Sequence, residues 1–240
     1  MKVAVLSDLF LTKEVLENAF KERFKDSGLE FEYVYLNDGW PVQPVMDNGE
    51  IREYVGDEDA TAKVVEDVDI VITHTAPLSE KVISKAKNLK VIALARGGPV
   101  NVNWKACTNR GIPVIYAPGR NSGAVAEFTI GLILSVSRNI ARSHTSLMRD
   151  KQWRGDLYVY SEVGKELNSS VVGLVGFGAI GKKVAKVLLA FGSKVLVYDP
   201  YIKADEITAL GCHPASFDEI LEQSDYISLH GRETEETRGM

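Results

Sequence analysis

The sequence predicts an α/β fold in two successive units. Three observations predict it. Short β-branched apolar runs alternate with amphipathic segments through the first part of the chain, the pattern breaks at Pro118-Gly119, and it resumes at Val171 around a glycine-rich turn. Such alternation is the mark of parallel strands covered by helices on both faces. In the first unit, strands are expected over 2–7 (KVAVLS), 31–36 (FEYVYL), 69–73 (DIVIT), 90–95 (KVIALA) and 113–117 (PVIYA). Helices belong between them. Residues 11–24 place Leu11, Val15, Leu16, Ala19, Phe20 and Phe24 at helical spacing, 79–87 opens on Ser79 as a cap, and 103–109 closes on Gly111. The insert 39–66, with Pro41 and Pro44, reads as a loop followed by a helix.

After the break comes a long apolar helix, 123–140, with Ala, Val, Phe, Ile or Leu on nearly every face. Such a helix is buried on more than one side. It is either a core helix joining the two units or, in addition, a subunit interface centred on Phe128. A polar connector with Trp153 and Gly155 follows. The second unit then offers strands at 171–175, 194–198 and 226–230, and helices at 180–191, 204–210 and 217–223.

Composition excludes several functions. The 240 residues are 45% hydrophobic and 25% charged, ordinary globular values, with a net charge of −5 and no dense run of Lys or Arg. Nucleic acid is therefore not an expected partner. The N-terminal MKVAVLSD reaches an acid too soon for a signal peptide, and no apolar stretch approaches a membrane span, so a cytoplasmic location and no membrane partner are expected. Cys107 and Cys212 stand far apart without a C-x-x-C or a His-Cys cluster, which suggests neither a disulfide framework nor a metal site.

The strongest chemical signal is VVGLVGFGAIGKKVAKVLLAFGSKVLVYDPY, in which Gly176, Gly178 and Gly181 form G-x-G-x-x-G between an expected strand and an expected helix. In that context the first glycine permits a tight turn, the second removes a side chain where a pyrophosphate approaches, and the third lets helix and strand pack. The helix N-terminus supplies free N–H groups to the anion. Asp199, at the end of the next strand, has the spacing of an acid that accepts from the adenosine ribose hydroxyls. A carboxylate there favours NAD over NADP, whose 2′-phosphate it would meet as a like charge.

Three blocks, LKVIALARGGPVNVNWKACTNRGIPVIYAPGRNSGAVAEFTIGLIL, VGLVGFGAIGKKVAKVLLAFGSKVLVYDP and SDYISLHGRETEETRG, stand in the order found in one family. The sequence resembles the D-isomer-specific 2-hydroxyacid dehydrogenases, which include phosphoglycerate dehydrogenases and glyoxylate/hydroxypyruvate reductases. The resemblance implies a flavodoxin-like substrate domain, 1–118, followed by a Rossmann NAD-binding domain, 119–240. It implies hydride transfer between NAD and a 2-oxoacid or D-2-hydroxyacid, and a homodimer through helix 123–140. Carried over by position, Gly97 and Gly98 match the loop whose amides hold the substrate carboxylate. Asn121 matches a polar residue near the substrate or else caps the long helix. Ala179 and Ile180 match backbone positions over the pyrophosphate. His230 matches the residue closing the fourth Rossmann strand beside the cofactor, or is a satisfied strand-end histidine.

The sequence departs from the family pattern at Val100, where an Asp usually precedes the Asn, and at Arg232, where a Pro is usual. Ala95-Arg96-Gly97 resembles the catalytic Ala-Arg-Gly of the family but stands in the other domain, so Arg96 is not assigned that role. The resemblance places the Arg, Glu and His of the reaction beyond Met240, and a doubly wound nucleotide domain has six strands where this sequence reaches the fourth. The chain is therefore expected to be a fragment that lacks the catalytic groups. A rival function from another class is an NAD-sensing, corepressor-like binding protein of the same fold.

Overall fold

The computed structural model describes residues 1–40, 46–232, 234 and 236–240. The chain divides into two compact units, Met1–Arg120 and Asn121–Met240. The first contains β1 (Lys2–Ser7), α1 (Lys13–Phe24), β2 (Glu32–Asn37), β3 (Met46–Asp47), β4 (Arg52–Tyr54), α2 (Glu58–Val65), β5 (Ile70–Thr73), α3 (Glu80–Lys85), β6 (Val91–Leu94), α4 (Trp104–Asn109) and β7 (Val114–Tyr116). Its main sheet is parallel in the order β2-β1-β5-β6-β7. Setting the β3–β4 hairpin aside, that is 2-1-3-4-5, the flavodoxin-like order.

Strand β1 shows why the apolar runs fold this way. Its alternate residues point to opposite faces: Ala4 and Leu6 join a core with Val65, Val71, Val82 and Ile83, whereas Val3 and Val5 join one with Leu16, Ile70 and Ile72. Both faces are covered by helices, so the strand has no polar side. α4 is capped by Asn103, whose side chain accepts from the Ala106 N–H, and Gly111 follows it at φ +66°.

Two expectations in this unit need correction. The segment 39–66 holds an antiparallel hairpin, β3 against β4, before the helix, which starts at Asp57 with its carboxylate accepting from the Ala60 N–H. Pro41 and Pro44 lie outside the described residues. Ser79 stands at the cap position of α3, but its hydroxyl donates to Glu58 and caps nothing.

The second unit contains α5 (Ser122–Ser137), α6 (Ile140–Arg149), short 3-10 turns at Gly155–Tyr158 and Leu167–Ser169, β8 (Val171–Val175), α7 (Ala179–Ala190), β9 (Lys194–Tyr198), α8 (Ala204–Ala209), β10 (His213–Pro214), α9 (Phe217–Gln223) and β11 (Tyr226–Leu229). Its sheet is parallel in the order β10-β9-β8-β11, that is 3-2-1-4, the order of the first four strands of a Rossmann domain. Val172 and Leu174 of β8 pack against Ala126, Ile133, Val184 and Leu188 on one face, and Val175 packs with Ile220 on the other.

The long helix expected over 123–140 ends at Ser137. Asn139 takes the left-handed conformation at φ +53°, which asparagine tolerates better than most residues, and the chain bends by 70° into α6. Gly164 fixes this elbow from outside, because a Cβ there would lie 1.4 Å from the Ser137 carbonyl oxygen. Part of the expected polar connector is therefore helix. Within the chain, α5 is not buried all round: Ala126, Ile133 and Ser137 face the core, whereas Phe128, Leu132 and Val136 are more than half exposed. Among the described residues no single helix is long and apolar enough to cross a membrane.

Candidate functional site

In an open α/β sheet, ligands bind beyond the strand C-termini where the strand order reverses. In the second unit that point lies between β8 and β11, and the glycine-rich turn and His230 stand there. The three glycines differ in what a side chain would meet. Gly176 turns the chain at φ +100°, and a Cβ on it would lie 2.6 Å from the Gly231 nitrogen and 2.7 Å from the His230 carbonyl carbon. A Cβ on Gly181 would lie 2.3 Å from the Gly176 oxygen. A Cβ on Gly178 would meet nothing within 4 Å. Two glycines thus let backbone approach backbone, and the third keeps a space open. Phe177, between them, is fully buried and anchors the turn in the core.

α7 begins directly on Gly178, with no side chain capping it. The first-turn N–H groups of a helix have no intrahelical acceptor, and the helix dipole adds positive potential there. Gly178 and Ala179 are exposed, and Ile180 half-buried, at this end. Asp199 follows β9, and its carboxylate accepts from the Phe177 N–H at 2.7 Å and from the Tyr201 N–H at 2.9 Å. The acid is thereby tied to the glycine turn. His230 continues β11; its N–H donates to the Val175 carbonyl at 2.7 Å, and its Nε2 is buried without a partner. Burial pushes the pKa of the imidazole down, which favours the neutral ring. An open space before an uncapped helix, an anchored acid and an orphaned ring nitrogen are features that fit a dinucleotide.

In the first unit Gly97 and Gly98 follow β6, and a Cβ on Gly98 would meet nothing within 4 Å. The Arg96 guanidinium beside them donates to the Glu53 carbonyl at 3.0 Å and pairs with the Glu53 carboxylate. Asn121 occupies the N-terminal flank of α5 without a side-chain capping bond, and it is exposed.

The structure adds a group that pattern reading did not assemble. Asp8, 1% exposed after β1, accepts from the Phe10 and Leu11 N–H groups on Oδ1 and from the Thr75 hydroxyl on Oδ2, and His74 Nδ1 lies 2.7 Å from Oδ2. These hydrogen bonds outweigh burial and hold the carboxyl below its usual range, although burial is the largest single influence and acts upward. Phe10 and Trp40, 6.1 Å apart, form an aromatic cluster with the His74 ring, at 5.4 and 6.3 Å from it between centroids. Nearby, Asp38 is pushed up to about 6, first by burial and then by the charges of Asp8 and Asp57. The signal was an acid one residue past the first strand and a histidine one residue past another; nothing local pairs residues 66 apart. A cavity of about 330 Å³ lies elsewhere, in the α5–α6 elbow, where Arg138, His144, Trp153 and Arg154 line it.

Comparison with known proteins agrees with this geometry. Residues 130–240 match the family described as D-isomer specific 2-hydroxyacid dehydrogenase, NAD binding domain. The chain is 38% identical over 183 residues to a hydroxypyruvate reductase of Thermotoga maritima, covering 76% of this chain and 57% of that protein. It is 35% identical over 201 residues to the D-3-phosphoglycerate dehydrogenase of Mycobacterium tuberculosis, covering 83% and 37%. Among solved structures, D-lactate dehydrogenase from Aquifex aeolicus complexed with NAD and lactic acid superimposes with a TM-score of 0.69 at 27% identity, covering 97% of this chain and 62% of that one. The chain thus spans roughly a third to three fifths of these relatives. The relatives named are reductases and dehydrogenases, and none of them favours a corepressor-like binding protein. With strand orders 2-1-3-4-5 and 3-2-1-4 in succession, a glycine cradle at the second switch point and these matches, the chain is similar to the D-isomer-specific 2-hydroxyacid dehydrogenase family, whose NAD-binding domain residues 130–240 match.

Proposed function

We propose that the chain serves an NAD-dependent oxidoreductase that interconverts a D-2-hydroxyacid and its 2-oxoacid, with residues 1–118 as the substrate domain and 119–240 as the NAD-binding domain. The observation that carries this reading is the Asp199 carboxylate fixed on the Phe177 N–H of a glycine turn that opens an uncapped helix. Bound NAD would supply the acceptor for the hydride that leaves C2 of the hydroxyacid as the hydroxyl proton passes to a base. The chain's own residues bind and orient. Gly178 admits the pyrophosphate, the N–H groups of Ala179 and Ile180 face it, and Gly176 and Gly181 keep the turn tight. The remaining lone pairs of Asp199 accept from the ribose hydroxyls. His230 borders the cofactor with an unpaired ring nitrogen. Gly97 and Gly98 offer backbone N–H groups to the substrate carboxylate, and Asn121 adds a polar side chain. No residue of 1–240 is assigned the proton transfer.

We also read the protein as a cytosolic homodimer. Its cysteines, Cys107 and Cys212, are buried and unpaired, as suits a reducing compartment. Phe128, Leu132 and Val136 form an exposed apolar face one helical turn apart on α5, which a second copy would cover. The central test is titration of the chain with NAD and NADP by calorimetry. Binding of NAD at least about tenfold tighter than NADP is expected, since a like charge opposite the 2′-phosphate is worth more than one such factor. Equal binding of both, or of neither, overturns the reading.

A further inference from the structure

The loop after β6 is pinned at both ends by consecutive residues of the β3–β4 hairpin. At its start the Arg96 guanidinium donates to the Glu53 carbonyl at 3.0 Å and pairs with the carboxylate of the same residue. At its far end the Val100 carbonyl accepts from the Arg52 N–H at 2.8 Å. Among the described residues Glu53 is the sole hydrogen-bond partner of that guanidinium, whose side chain is 15% exposed. Glu53 is an uncommon choice for its place. Met46 pairs with Tyr54 and Asp47 with Arg52, so Glu53 is the extra residue of a β-bulge, and its φ of +53° is one that glycine adopts without steric cost. A glycine would form the bulge more easily and leave Arg96 a carbonyl alone.

The hairpin also ends the β5–β6 ladder. The two strands are parallel, and just past them the Ala95 N–H donates to the Thr73 carbonyl at 2.8 Å. The next rung, two residues on along each chain, would join the Gly97 N–H to the Thr75 carbonyl. The Val55 N–H takes that carbonyl instead, at 3.0 Å. Neither the Gly97 nor the Gly98 N–H has an acceptor among the described residues, and the space beside Gly98 is open. Two adjacent unspent donors, on a backbone held at both ends, make a preorganised anion site. We infer that Glu53 is the positioning residue of this loop: it touches no substrate, and by gripping Arg96 it keeps the Gly97 and Gly98 N–H groups aligned on one carboxylate. This rests on the carboxylate role proposed above for those two glycines. The Arg96 charge is met by Glu53, so Arg96 is the handle of the loop and not an anion contact. The strained bulge thereby has a function, because the side chain that a glycine would lack is the one that holds the loop.

The test follows the Gly97 and Gly98 amides by nitrogen-15 NMR in the whole chain with saturating NAD, as oxamate, an unreactive isostere of a 2-oxoacid, is added. In wild type both amides should exchange rapidly with solvent before oxamate is added and shift when it binds. Glu53→Gly keeps the bulge, so it should melt no lower than wild type, but it frees Arg96; oxamate is expected to bind about tenfold more weakly, the worth of one hydrogen bond. Glu53→Gln, which still accepts from the guanidinium, should recover part of that loss. Arg96→Met should lose as much as Glu53→Gly, and the double variant no more than either, because the two residues act through one contact. Oxamate affinity unchanged in Glu53→Gly overturns the assignment. So does tighter binding in that variant, or a far larger loss in Arg96→Met, since either would make Arg96 itself the carboxylate contact. Slow exchange of either amide in free wild type decides against it without any variant. If neither wild-type amide shifts with oxamate while NAD binds, the carboxylate role of the loop fails and this assignment with it, whereas a wild-type shift that survives intact in Glu53→Gly removes Glu53 alone.

Discussion

The Phe177 backbone N–H donates to the Asp199 carboxylate at 2.7 Å, so the acid that follows the second Rossmann strand is bonded to the middle of the glycine turn that follows the first. The acid holds the turn, and in the proposed function it also faces the ribose. The two roles are separable. Asp199→Asn keeps an acceptor for the Phe177 N–H and removes the charge; Asp199→Ser is too short to keep either. We expect Asn to narrow the gap between NAD and NADP by about tenfold or more with little loss of thermal stability, and Ser to weaken NAD further as the turn loosens. Calorimetric titration and a melting curve of each variant check this. Unchanged affinities for both dinucleotides in both variants would remove Asp199 from the ribose site.

Asp38 governs a pH dependence of stability. Its carboxyl titrates at about 6 in the folded chain against 3.8 for the free group, because burial and the charges of Asp8 and Asp57 disfavour the anion. Its Oδ2 is buried without a partner, and Gly56, at φ +106°, crowds it so closely that a Cβ would lie 2.2 Å from Oδ1. The raised value fixes the sign. The folded state holds the proton longer, so this contribution is complete below about 3.8 and is lost as the pH rises through about 6. Asp38→Asn has nothing to lose on that rise. Its stability relative to wild type should improve by roughly 1 to 2 kcal/mol between about pH 4 and about pH 7.5, since partial solvent access screens the site. Urea denaturation of both proteins at the two pH values reads it, and a difference that does not change with pH contradicts it.

The regular elements were legible in the sequence where the signal is local. Lys2–Ser7, Val171–Val175, Lys194–Tyr198 and Phe217–Gln223 fall where the apolar runs and turn residues put them, because each is a β-branched run or an amphipathic turn bounded by Gly, Asp or Ser. Asn139 was not legible, since Ile140 resumes the apolar pattern just after it and one asparagine in the left-handed region breaks the helix there. Nor was the Met46–Tyr54 hairpin, whose strands of two and three residues carry no alternation to read. The cradle glycines were legible because their spacing is itself the chemistry. The Asp8–His74 pair was not, because only the parallel pairing of β1 with β5 brings together residues so far apart in sequence.

The exposed face of α5 gives a test of assembly. Phe128, Leu132 and Val136 contribute nothing to their own core, so replacing them should leave the fold intact. Burying a large apolar side chain is worth about 1.5 to 3 kcal/mol, and in a two-fold interface each residue counts twice. Phe128→Asp is therefore expected to turn a dimer into a folded monomer, seen as halved mass in sedimentation with an unchanged circular dichroism spectrum. A wild-type chain that sediments as a stable monomer would contradict the homodimer.

Gly176 and Gly178 stand two residues apart, and their surroundings call for opposite outcomes from the same kind of substitution. At Gly176 the backbone is at φ +100°, and an added Cβ would press on the backbone of His230 and Gly231, neither of which can rotate away as a side-chain tip could. Gly176→Ala should therefore cost about 3 kcal/mol or more of stability, through both the strained φ and the collision at the end of β11. At Gly178 φ is −75°, which any residue adopts, and the space around a Cβ is empty. Gly178→Val should melt within a few degrees of wild type. If the empty space is where a pyrophosphate lies against the first turn of α7, the same variant loses dinucleotide binding, because the branched side chain fills the approach to the helix N–H groups. Melting curves with and without NAD separate the two effects: wild type should gain stability with ligand by mass action, Gly178→Val should not, and Gly176→Ala should begin low. A Gly178→Val protein that NAD still stabilises as it does the wild type would mean that the open space before α7 is not the dinucleotide site.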